Sequence, residues 1–145
     1  MAIHINIMTH AAVEKVVYYW MELLAQEKYE QAFNLTYHDP RNQWTPAMME
    51  SVINGYGMLY EPGEEVFKVT PYNEAAFHPG DVNRDQDLTL FEKPQIKAHL
   101  PNMKILGYLW YGLPLNGKWS DLTATFNLLQ GEGFWALELD EIHVF

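Results

Sequence analysis

The stretch KILGYLWYGLPLNGKWSDLTATFNLL, Lys104–Leu129, holds two extended apolar runs on either side of Asn116-Gly117. That dipeptide favours a two-residue hairpin turn, because both of its positions tolerate positive φ. If it is the loop, Leu115 faces Lys118. Counting back then sets Leu109, Tyr111 and Leu113 on one face with Ala124, Leu122 and Ser120. A second hairpin closed by Gln130-Gly131-Glu132-Gly133 pairs Leu128 with Trp135, Phe126 with Leu137 and Ala124 with Leu139, again on that face. Continuing the register would turn Glu141 inward opposite Leu122, so a β-bulge near Asp140-Glu141 is expected to return Ile142 and Val144 to the core. The opposite, outer face then collects Tyr108, Trp110, Trp119, Asp121, Thr123, Thr125, Glu138 and Asp140.

Upstream the period changes from two to 3.6. Val13, Val16, Val17, Trp20, Leu23 and Leu24 follow the spacing of one buried helical face, with Thr9 placed to cap the helix. A second helix is expected from about Lys28, burying Tyr29, Ala32, Phe33 and Leu35 and ending at His38-Asp39-Pro40, because proline restricts the residue before it. Thr45-Pro46 is an N-cap followed by proline at the first helical position. The third helix so started carries Met48, Met49, Val52 and Ile53 on its apolar side and stops at Gly55 and Gly57. Extended structure is expected to resume at Val66 to Thr70. These elements make one α+β domain over residues 1–145, three N-terminal helices packed on a curved antiparallel sheet.

Composition narrows the partners. Nineteen acidic against nine basic residues give a formal net charge of −10, which disfavours phosphate backbones and anionic membranes and suits a basic protein or a cation. Without cysteine there is no disulfide, thiolate zinc site or cysteine nucleophile. Met1–Thr9 lacks the basic flank and apolar run of a signal peptide, and no apolar stretch approaches the roughly 18 residues of a membrane span, so a cytoplasmic protein is expected.

Two N-terminal helices around Tyr18-Tyr19-Trp20 and Lys28-Tyr29-Glu30-Gln31-Ala32, a third helix, and a meander ending Trp135-Ala136-Leu137-Glu138-Leu139-Asp140-Glu141-Ile142-His143-Val144 resemble the nuclear-transport-factor-2-like (NTF2-like) superfamily of cystatin-like α+β cones. The resemblance is one of pattern over most of the chain. It implies a curved sheet wrapped round the helices, a conical pocket between them, and frequent dimers through the outer sheet face. The superfamily includes isomerases, dehydratases, ring-hydroxylating subunits, transport adaptors and toxin-immunity proteins, so fold alone does not set function.

For chemistry in such a cone, the candidate proton-moving groups are His38, Asp39, His78 and Asp121. His38-Asp39-Pro40 is also a helix end and turn, and Asp121 falls on the outer face. A separate motif runs from Asp81 to Glu92. Asp81, Asn83, Asp85, Asp87 and Glu92 match ligand positions of an EF-hand-type calcium loop, with Leu88 at its apolar eighth position. Gln86 stands where that loop needs glycine, Pro79-Gly80 leaves no entering helix, and the same residues also suit an acidic turn.

The leading expectation is a non-enzymatic binding protein whose outer face, through Tyr108, Trp110, Trp119, Asp121, Glu138 and Asp140, makes a homodimer or holds a basic protein, as an immunity protein would hold a toxin. The alternatives are an isomerase or dehydratase acting on a small molecule in the cone, and a calcium-binding domain.

Overall fold

A computed structural model describes residues 2–56, 66–74, 86–97 and 99–144. Helix α1, His10–Ala25, starts where Thr9 adopts extended backbone and its hydroxyl accepts the Ala12 N–H at 3.0 Å. The face read from the sequence is the buried one, with Met21 added to it. Helix α2, Tyr29–Leu35, buries Tyr29, Ala32 and Leu35. It ends three residues earlier than His38, and Tyr37–His38 instead forms a short strand, β1. Helix α3, Pro46–Asn54, is capped by the Thr45 hydroxyl accepting from the Met48 N–H at 3.1 Å, and it buries Met49 and Ile53.

Four long strands follow: β2 (Gln86–Lys97), β3 (Leu100–Leu115), β4 (Lys118–Gln130) and β5 (Trp135–Val144). They lie in the order β1-β5-β4-β3-β2. The sheet is mixed rather than purely antiparallel, because β1 runs parallel to β5 with Tyr37 opposite Glu138. Val66–Thr70 is no full strand; it meets the sheet only where Val69 bridges Leu115.

The Asn116-Gly117 hairpin forms as expected, with Leu115 opposite Lys118 and φ of 49° and 85° at the two turn residues. Beyond it the register departs from simple counting. A shift between Gly112 and Pro114 puts Tyr111 opposite Ala124 and Leu109 opposite Phe126, two residues from the expected partners. The next turn runs one residue further, through Phe134, and pairs Leu128 with Leu137 and Phe126 with Leu139. Both slips are even, so Leu109, Tyr111, Ala124, Phe126, Leu128, Leu137 and Leu139 stay on their expected face. The bulge falls at Asp140, the unmatched residue between Leu139 and Glu141; Ile142 returns to the core, whereas Val144 is half exposed.

Among the described residues, large side chains pack the space between helices and sheet. Trp20, Met21, Met49, Tyr111, Phe126 and Leu128 have almost no exposed surface, and Trp20 meets Phe126 edge to face at 5.1 Å. A second, smaller cluster lies on the outer face: Met103, Ile105 and Leu129, flanked by Tyr37, Phe91, Leu100 and Phe134. β2 and β3 are irregular beside it, with register shifts after Leu90 and between Ile105 and Gly107, and the end of their hairpin reaches β5 through His99 and Glu138. Gly107 permits the close approach of β2 and β3, since a Cβ there would collide with the Thr89 carbonyl. Among the described residues no helix is long and apolar enough to cross a membrane.

Candidate functional site

The six outer-face residues expected from the sequence do not form one patch. Tyr108 is exposed beside Phe91, with ring centroids 6.0 Å apart, and Trp110 is half-buried. Trp119 is buried instead, opposite Pro114, and lines a groove of about 360 Å³ with Tyr56 and Phe67. Asp121 is exposed in the irregular part of β4 and accepts the Tyr56 hydroxyl, a bond that holds the phenol above its ordinary pKa. Asp140 anchors the segment after β1, its carbonyl accepting from Trp44 Nε1 at 2.9 Å and Asn42 Nδ2 at 3.1 Å. Glu138 is fully buried.

What replaces the expected patch is a row across three strands. Trp110 of β3 pairs with Thr125 of β4, and Thr125 pairs with Glu141 of β5. Glu141 is exposed and lies 3.0 Å from His143 Nδ1. The neighbouring row is Tyr108, Asn127, Glu138 and Tyr37. Glu141 became part of this face because Asp140 took the bulge position, which a sequence reading placed only to within two residues.

Beside these rows Asp39, Arg41, His99 and Glu138 form a linked group of charges. Glu138 Oε1 accepts Asn127 Nδ2 at 2.9 Å, and Oε2 lies 2.8 Å from His99 Nε2. On the other side of the imidazole, Nδ1 is 3.7 Å from Asp39 Oδ2. Asp39, only 4% exposed, is gripped by the Arg41 guanidinium at 2.7–3.2 Å. With each ring nitrogen turned to a carboxylate, His99 works as a cross-link between the β2–β3 turn, β5 and the segment after β1. Sequence offered one usable signal for it. Had the second hairpin been closed at Phe134, Asn127 would have fallen opposite Glu138, an amide beside a carboxylate. Nothing local pointed to His99 or Arg41.

His38 belongs to the neighbouring turn. Its ring stacks on Phe33 at 3.9 Å and Nε2 donates to the Phe33 carbonyl at 2.6 Å, which assigns the proton to that nitrogen. Burial pushes its pKa below the usual histidine value, outweighing the opposite pull of the Phe33 carbonyl and Glu138. The folded chain therefore takes up this proton less readily than the unfolded one. The stability His38 contributes is complete above about pH 6.5 and is lost as the pH falls below it. Urea midpoints measured from pH 7.5 to 5 should fall more for the wild type than for His38→Gln; equal slopes would refute the assignment.

For the calcium motif, Asp81, Asn83 and Asp85 lie outside the described residues, as does His78. Asp87 and Glu92 lie within strand β2, so extended backbone stands where an EF-hand has its exiting helix. Among the described residues no group of three or more His, Asp or Glu is placed to hold a metal ion. Compared with known proteins, the chain matches no family model, no curated protein and no solved structure.

Proposed function

We propose that this chain is a non-enzymatic binding protein of the NTF2-like kind that docks a basic protein partner on the outer face of its sheet, in the manner of an immunity protein neutralising a basic toxin. The observation that carries the reading is the exposed Tyr108 and half-buried Trp110 beside Thr125 and Glu141. Aromatic anchors on a rigid sheet face, rimmed by a carboxylate, have the composition of a recognition surface more than of a solvated one. Charge favours a basic partner over a second copy, since two chains of net charge −10 repel when their Glu141 faces meet. Among the described residues, Trp20, Tyr111 and Phe126 occupy the space between helices and sheet, which favours the outer face as the binding surface.

The test has two parts. A basic protein captured on wild-type bait should, once purified, bind with an affinity that falls as salt rises and drops about 30-fold or more with Trp110→Ala, the usual loss at an aromatic hot spot. Glu141→Lys should slow association. The reading fails if binding is indifferent to Tyr108, Trp110 and Glu141, or if light scattering reveals a homodimer that the same substitutions dissociate.

A further inference from the structure

We propose that residues 99–103, at the end of the β2–β3 hairpin, form a releasable strap over the outer face, fastened by His99 between Glu138 and Asp39. Its opening lifts Leu100 and Met103 away from Ile105 and Leu129 and extends the docking surface from Phe91 and Tyr108. The use of that uncovered surface rests on the function proposed above, but the opening itself is a property of the free chain.

Four observations converge on it. The strap packs through Leu100 and Met103 on Ile105 and Leu129 in a cluster separate from the main core, so it can lift without disturbing the packing of α1 and α3 on the inner face. Its own ladder is sparse: Lys97 with Leu100, Ile96 with Lys104 and Gln95 with Ile105 are the pairs beyond the Leu90 shift, and another shift interrupts them. Pro94 and Pro101 contribute no N–H to that ladder. The approach to the strap is solvated, with Glu92, Lys93, Pro94 and Gln95 exposed and Ile96 70% exposed.

Against this weak backbone attachment, the His99 contact is strong and specific. It joins the hairpin end to β5 through a 2.8 Å hydrogen bond to a buried carboxylate, with a second carboxylate 3.7 Å away. The groups that face the imidazole are Glu138 from β5 and Asp39 from the segment after β1, the latter carrying Arg41. One side chain thus joins two elements 39 and 60 positions away in the sequence, and the strap has no comparable polar anchor among the contacts described. The cluster it packs in continues the outer face directly, because Phe91 packs against both the cluster and Tyr108.

Hydrogen exchange of the free protein, followed by mass spectrometry at increasing low urea, tests the strap. Peptides covering 99–104 should exchange at least 100-fold faster than those covering 122–128 and show little urea dependence, the signature of a local opening. His99→Gln should speed the strap peptides a further 10- to 100-fold, the factor expected when a hydrogen bond to a carboxylate is weakened, while α1 peptides stay unchanged. The proposal is overturned if the wild-type strap exchanges only with global unfolding, at the rate and urea slope of 122–128. It is equally overturned if His99→Gln leaves the strap rate unaltered. Trp110→Ala should leave strap exchange as it is, so a failure of the docking function would appear in partner binding and not in this measurement.

Discussion

Trp20→Ala should lower the free energy of unfolding by about 3–5 kcal/mol, the range for deleting a buried tryptophan from a packed core. Trp20 has no exposed surface, and its ring stands edge-on to Phe126, the residue of β4 that pairs with both Leu109 and Leu139. It therefore joins α1 to the middle of the sheet. Removing it leaves a void lined by apolar groups, which loses their dispersion contacts outright. Urea denaturation followed by circular dichroism measures the loss. A cost below about 1 kcal/mol would mean that the interior collapses easily or is not packed as described, and would reopen a ligand-binding interior.

Glu138→Ala should cost about 3–5 kcal/mol, as expected for breaking a buried charge cluster from one side. The substitution takes the acceptor from Asn127 Nδ2 and from His99 Nε2 at once, and leaves the imidazole with only the more distant Asp39. Glu138→Gln keeps the shape and one acceptor oxygen, and should cost about 1–3 kcal/mol, the penalty of one unsatisfied buried group. The ordering of the two variants is the informative result. If both cost the same small amount, Glu138 is not the keystone of the cluster and the hairpin end is held by its apolar contacts alone.

These two residues also mark the limits of reading the chain as a string. Trp20 was legible, because its interval from Val13, Val16 and Val17 is that of one helical face and burial on that face is the only way such a stripe is stabilised. Glu138 was placed on the outer face, which is correct, but outward was equated with solvated. Alternation in a strand encodes which face a side chain takes and carries no information on what later covers that face. The element that reaches Glu138 here is the end of the β2–β3 hairpin, through His99, and the irregularities in pairing beside it have no periodic signature. Trp119 misled for a related reason: an irregular stretch of β4 next to the Asn116-Gly117 turn took it out of the surface.

Local chemistry, by itself, determined the three helices and their caps at Thr9 and Thr45, the Asn116-Gly117 turn, the two faces of the sheet, and the need for a bulge near Asp140. Each of these follows from interactions within a few residues, where φ preferences, hydrogen-bonding side chains and hydrophobic period act directly. Tertiary structure alone decided the parallel strand Tyr37–His38, the two-residue slips in register, and the meeting of Asp39, His99 and Glu138. A two-residue strand is too short to show a period, and an even slip preserves every face, so neither leaves a trace in the pattern. The charge cluster gathers side chains from three distant parts of the chain, and their proximity is a property of the assembled sheet.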